Sequence, residues 1–349
     1  MLEANAVEGR PLDPAKEVPR RVAPDRASSL RVLLITMGGT IARVGKLGKA
    51  GRLDGEELLR QVPEVRELCE IDTVDMMKSG SSAIGPAEMS ALAREIHDRV
   101  QSGIDGIVVT QGTDTLEETA YALALQLKIP APVVLTGAMR RPGEAGADGP
   151  GNLLGAIRVA TTPGVAVLGP LVVMQDEIHC ARLVTKAHST SVTAFASPGF
   201  GPVGYIADGF AHMPTFHRAN DYVGLPPSLP HRVEVVWTFS GCDGGALASA
   251  ADRADGVVVA AMGNGRVPPG MLGALKAAVE TRKPLILASR CGAGPVLSQT
   301  YNFGDAGNEV GVLGVVPAGD LAPVKARLRL LVALGLGIGP ESVFPAGGY

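Results

Sequence analysis

The sequence predicts an α/β protein with a larger N-terminal doubly wound domain, built on a mostly parallel sheet, and a smaller C-terminal α/β domain. Three observations carry this prediction. From residue 30 onward, short β-branched runs alternate with amphipathic stretches, the rhythm of βαβ units. The runs are apolar at successive positions, as strands covered on both faces must be. The chain has 349 residues and is 46% apolar, enough for more than one core.

The elements follow in order. Residues 1–29 are rich in Pro, Arg, Glu and Asp without periodicity, and read as a flexible N-terminal arm. "RVLLIT" (31–36), "GIVVT" (106–110), "PVVLTG" (132–137) and "LVVMQD" (171–176) read as strands. The amphipathic stretches 86–103 and 115–128 read as helices between them. "HMPTFHRANDYVGLPPSLPHR" (212–232) is polar and Pro-containing, the signature of a linker. Beyond it, "VEVVWTF" (233–239), "GVVVAAMGNG" (256–265), "PGMLGALKAAVE" (269–280) and "PLILASR" (284–290) resume the alternation. A helix over 322–337 closes it. The expected organisation is therefore an arm at 1–29, a catalytic α/β domain at 30–212, a linker at 213–231 and a second α/β domain at 232–349.

Composition excludes several function classes. Net charge is −3, and no Lys/Arg run marks a nucleic-acid or acidic membrane surface. Cys69, Cys180, Cys242 and Cys291 are far apart and lack CxxC spacing, so neither a zinc site nor a disulfide framework is expected. No metal or organic cofactor is expected. The N-terminus has no apolar signal-peptide core, and no stretch of eighteen apolar residues occurs, so the expected location is the cytoplasm.

In open parallel sheets, ligands bind outside the carboxyl ends of the strands. Two runs end alike there: "LLIT-MGGT-IA" and "IVVT-QGTDT-LEETA". Each delivers a Gly-Thr pair into a strand-to-helix loop, so Thr40 and Thr113 face one edge. Gly38-Gly39 suits a phosphate cradle or a tight turn, but the spaced glycines of GxGxxG and of GxxxxGK[ST] are missing. A nucleophile needs an adjacent base and backbone N–H groups for an oxyanion, with glycine allowing close approach. Asp114 follows Thr113, and Lys186 lies among small polar residues in "RLVTKAHSTSVTAFASPGFGPVGYI" (182–206). A desolvated lysine can serve as a base.

Together these segments resemble the bacterial-type L-asparaginase/glutaminase family of threonine amidohydrolases, from about residue 31 to 340. The resemblance rests on "MGGTIA", "VVTQGTDTLEETAYAL", "LTGAMRRPGEAGADGPGNLLGAI", "VTKAHSTSVTAFASPGFGPVGYI", "GVVVAAMGNG" and "ASRCGAG", in that order. It implies Thr40 as the acylated nucleophile, and Thr113, Asp114 and Lys186 as its catalytic partners. Asp114 would also hold the substrate ammonium, and Ser81 or Ser82 the α-carboxylate. Gly39, Thr113 and Ala138 would line the amide end. The implied substrate is a small amide, and the implied assembly a homo-oligomer, dimer or tetramer, in which a neighbour's smaller domain completes the cleft.

Three positions depart from the family's usual pattern. The segment "ARVGKLGKAGRLDGEELL" (42–59) has no tyrosine to polarise the nucleophile and is instead rich in Gly, Arg and Lys. After Asn264, Arg266 stands where relatives carry a second asparagine. Tyr301 aligns where a partner-directed glutamate is common. The expected activity is L-asparagine hydrolysis to L-aspartate and ammonia through a threonine acyl-enzyme. The alternatives are a glutaminase-asparaginase of relaxed or altered amide specificity, a non-catalytic amino-acid binder on the same fold, a tRNA-dependent amidotransferase subunit, and a nucleotide module. The amidotransferase reading is disfavoured because such subunits usually carry an extra N-terminal domain, for which the 29-residue arm is too short, and the nucleotide reading because the phosphate fingerprint is missing.

Overall fold

The computed structural model describes residues 30–45, 51–214, 221–297 and 314–344. The N-terminal arm, part of the 42–59 segment and Tyr301 lie outside the described residues.

The larger unit is an eight-stranded sheet. Its strands are β1 (Arg31–Gly38), β2 (Glu70–Ser79), β3 (Gly106–Thr110), β4 (Val133–Thr136), β5 (Leu171–Met174), β6 (Glu177–Cys180), β7 (Gly204–Ala207) and β8 (Phe210–His212). Their spatial order is β8-β7-β6-β5-β4-β3-β1-β2. Strands β2 to β5 run parallel through β1. The remaining three add antiparallel hairpins at one edge.

Period-two alternation explains why the strands are apolar at every position. In β1, Leu33, Ile35 and Met37 point into one core layer, while Val32 and Leu34 point into the other. The first layer is filled by α1 (Pro86–Gln101) through Met89, Leu92 and Ile96, and by α2 (Leu116–Gln126). The second is filled by α3 (Gly149–Ala160) through Leu153, Ala156 and Ile157. The sheet is therefore doubly wound.

Two features depart from the sequence reading. The run 171–176 does not stay extended: the strand stops at Met174, and Gln175 and Asp176 adopt positive φ of 50° and 62°. They form a two-residue hairpin turn, with the Gln175 amide donating to Asn152 Oδ1 at 2.9 Å. β2 lacks a fully buried apolar run: exposed Glu70, Asp72 and Asp75 are interleaved with half-buried Ile71, Thr73 and Val74, an edge-strand pattern that the sequence reading did not include among its strands. It exists because β1 offers it a free parallel edge, with Arg31 through Thr36 in register with Glu70 through Asp75.

The smaller unit is a four-stranded parallel sheet in the order β9 (Val233–Trp237), β10 (Gly256–Ala261), β11 (Leu285–Ser289) and β12 (Val316–Pro317). Helices α4 (Gly245–Arg253) and α5 (Leu272–Glu280) cover one face. Helix α6 (Pro323–Gly335) covers the other and packs on α2, so one hydrophobic cluster runs through both units.

A buried ionic network also joins them. The Asp221 carboxylate accepts from Arg182 at 2.5 Å, from Tyr121 at 3.1 Å and from Arg329 of α6. Arg182 also pairs with Asp320. These charges are held because each is paired.

Candidate active site

In the order β2-β1-β3, the chain leaves β1 toward one side and re-enters the sheet on the other. The crevice at such a reversal lies outside the carboxyl ends of β1 and β3. A cavity of about 390 Å³ opens there, and Thr40 and Thr113 both line it.

The glycines of "MGGT" and "QGTDT" explain how two loops come so close. Gly38 and Gly39 take φ of 85° and 93°, a region that disfavours side chains. A Cβ on Gly39 would sit 2.2 Å from the Gly112 amide nitrogen. One on Gly112 would sit 2.9 Å from the Ser81 Oγ. Three loops, after β1, β2 and β3, are thus stacked backbone on backbone. The Gly39 amide donates to the Ser79 carbonyl at 3.1 Å, and Thr115 Oγ1 to the Ser81 carbonyl at 2.9 Å.

Lys186 comes from a two-stranded ribbon, Thr185–Lys186 against Phe195–Ala196. Its Nζ lies 2.9 Å from Thr113 Oγ1 and 2.6 Å from Asp114 Oδ1. The Lys186 side chain is 14% exposed, so the amine is sheltered while its carboxylate partner reaches solvent. Its backbone amide donates to Glu117 Oε2 at 2.6 Å. The segment before it is held from the other unit: Lys325 Nζ of α6 donates to the carbonyls of Arg182 and Val184 at 2.9 and 2.5 Å. Burial lowers the Lys325 ammonium to about 8, against the opposing pull of Glu117, Cys180 and Asp221.

Ser81 and Ser82 line the cavity. Ser81 is buried and its Oγ accepts from the Asp114 amide at 3.3 Å, whereas Ser82 is exposed. Gly39 and Ala138 line it as well. The loop at Ala138 is fixed by Asp148, whose oxygens accept from the Met139 and Arg140 amides at 2.9 and 2.8 Å. Asn264 and Arg266 are not in this cavity. They occupy a tight turn after β10, where the Arg266 amide donates to the Met262 carbonyl at 2.9 Å and the Leu297 amide to the Asn264 carbonyl at 3.1 Å.

Sequence reading did not single out Ser189, Glu117 or the clamp by Lys325. Ser189 lies in the small polar run after Lys186 and Glu117 in the acidic start of α2, so a local signal existed for both. Lys325 is 139 residues from Lys186 in the chain, and no spacing connects them.

The arrangement has two hydroxyls, an amine in contact with one of them, and loop backbone fixed around a polar cavity. An amine at hydrogen-bond distance from a hydroxyl can take its proton and return it.

The "Asparaginase, N-terminal" family model matches residues 31–216 and the "Glutaminase/Asparaginase C-terminal domain" model matches 232–343. A probable L-asparaginase of Deinococcus radiodurans is 42% identical over 91% of this chain and 97% of its own length. A probable periplasmic L-asparaginase of Haemophilus influenzae is 35% identical over 87% of this chain and 88% of its own. The crystal structure of a probable cytoplasmic L-asparaginase from Campylobacter jejuni superposes with a TM-score of 0.79 at 32% identity, covering 90% of this chain and 98% of that one. With matching fold, matching order of segments and near-complete coverage on both sides, the chain belongs to the asparaginase family.

Proposed function

We propose that this protein is an L-asparaginase-type amidohydrolase that converts L-asparagine to L-aspartate and ammonia through a threonine acyl-enzyme. The observation that carries the reading is the Lys186–Thr113–Asp114 contact set in the cavity that Thr40 also lines. Thr40 Oγ1 attacks the side-chain amide carbon, and its proton passes toward the Thr113–Lys186 pair. Backbone N–H groups of the stacked loops receive the oxyanion. The C–N bond breaks, the nitrogen leaves as ammonia after protonation, and water hydrolyses the ester, freeing Thr40. Asp114 receives the substrate ammonium, and Ser81 or Ser82 its α-carboxylate. No metal or organic cofactor takes part in this scheme.

The ammonia-release assay tests it. Wild type should release ammonia from L-asparagine, and Thr40→Ala should fall by about 10³-fold or more. Thr40→Ala retaining full activity would remove the nucleophile assignment. One observation favours a second reading, with Thr113 as the attacking residue: among the described residues, the Lys186 amine contacts the Thr113 hydroxyl rather than that of Thr40. The name of the C-terminal family domain also favours testing L-glutamine beside L-asparagine.

The assembly that suits this reading is a homo-oligomer, dimer or tetramer. Asn264 and Arg266 lie outside their own chain's cavity, as residues serving a neighbour's cleft would. Sedimentation and a cell-fractionation assay test the assembly and a cytoplasmic location. The similar Campylobacter jejuni structure supports that location, whereas the Haemophilus influenzae relative is named periplasmic.

A further inference from the structure

The walls of the cavity carry more positive charge than the proposed reaction uses. Its ionisable lining residues are Arg43, Arg52, Lys186 and Asp114. Lys186 and Asp114 are paired at 2.6 Å. That leaves two guanidinium groups without a counter-charge among the described residues.

Their placement is specific. Arg43–Val44 and Gly51–Arg52 form an antiparallel ribbon in which Arg43 and Arg52 are direct cross-strand partners. Residues directly opposite in such a ribbon project to the same face. Like charges in that position repel, so the ribbon pairs poorly in isolation. Both arginines are exposed and both line the cavity that holds Thr40, three residues before Arg43. An anion seated between them would remove the repulsion and form charge-assisted, forked hydrogen bonds.

We propose that Arg43 and Arg52 form a carboxylate subsite at the mouth of the cavity, and that this site favours small dicarboxylates over zwitterionic amides. The proposal rests on the amidohydrolase reading for its biological meaning. Hydrolysis of a side-chain amide creates a new carboxylate next to Thr40, where the substrate had a neutral group. The arginine pair then holds the acidic product, and the enzyme is restrained by its own product.

The test is binding by calorimetry, with succinate as a probe that cannot be turned over. L-aspartate and L-asparagine are then compared on the Thr40→Ala background. The expected result is that Arg43→Gln/Arg52→Gln weakens succinate binding roughly tenfold or more, the scale of lost charge-assisted hydrogen bonds. The ratio of L-aspartate to L-asparagine affinity should fall by a similar factor. Arg43→Lys/Arg52→Lys, which keeps charge but loses the fork, should recover part of both. Because both positions are exposed, melting curves should stay near wild type. Succinate affinity that the double Gln variant leaves unchanged, or no succinate binding to wild type, overturns the subsite. Arg-dependent succinate binding without L-asparagine binding supports the subsite and overturns the L-asparagine reading instead.

Discussion

Gly39→Ala probes the close approach on which the site depends. The new methyl would stand 2.2 Å from the Gly112 nitrogen and 2.4 Å from its Cα, both backbone atoms that no rotamer change can move. Ordinary contact begins at 3.4 Å, so the β1 and β3 loops must part by about 1 Å. Gly39 also has φ of 93° and ψ of −173°, a combination essentially confined to glycine, which disfavours alanine by about 1–3 kcal/mol. Adding about 1–3 kcal/mol for the overlap gives a destabilisation of about 2–6 kcal/mol. Gly143→Ala is a control without the overlap: its φ is also positive, 84°, but nothing lies within 4 Å of its Cβ position. It carries only the backbone part, about 1–2 kcal/mol. In denaturant melts Gly39→Ala should be clearly the less stable of the two variants. In the ammonia-release assay, Gly39→Ala should lose about 10²-fold, because a displacement of about 1 Å misaligns the reacting groups. Equal stabilities, together with wild-type turnover in Gly39→Ala, would refute the stacked-loop account.

Three further predictions follow from the contacts. Lys186→Met should lower turnover by about 10²–10⁴-fold with its melt near wild type; near-normal turnover would exclude the amine as proton carrier. Asp221→Asn leaves Arg182 and Arg329 buried without their shared carboxylate, and should destabilise by about 3–5 kcal/mol in denaturant melts. A change below about 1 kcal/mol would mean that the network contributes no more than a surface pair. Burial puts the folded-state Lys325 ammonium at about 8, below its ordinary 10.5, so the unfolded chain binds more protons between those values. Wild-type stability should therefore gain about 3 kcal/mol as pH rises through that window, and Lys325→Met should lack this gain. Identical pH slopes in the two proteins would contradict the assignment.

The parts of the fold legible in the sequence are those set by local pattern. Val32 through Ile35 are apolar in succession because each face of β1 meets its own layer, and α1 shows its stripe of Met89, Leu92 and Ile96. Such patterns need only one segment to be read. β2 is less legible because, as an edge strand, it alternates charged and half-buried residues instead of running apolar. The turn at Gln175–Asp176 was hidden for a different reason: it has no glycine, and the Asn152 side chain that holds it comes from α3.

The same distinction divides the site. Thr40, Thr113 and Asp114 are legible because glycine-threonine pairs follow buried runs, and a parallel sheet sends both loops to one edge. Lys186 is legible only beside a family resemblance, since no spacing links it to Thr113, 73 residues earlier. The clamp from Lys325 and the Asp221 network are encoded in side-chain chemistry across both units and become visible only after folding. Arg43 and Arg52 were visible as a basic stretch, but their cross-strand register and common cavity were not.

Covalent catalysis by Thr40 leaves a trappable intermediate. The enzyme would be mixed with L-asparagine, quenched in acid within the first turnover and mapped by peptide mass spectrometry. A β-aspartyl ester is expected on the peptide containing Thr40 and should be absent from Thr40→Ala. An ester on Thr113 in place of Thr40, or full turnover in Thr40→Ala, would contradict covalent catalysis by Thr40.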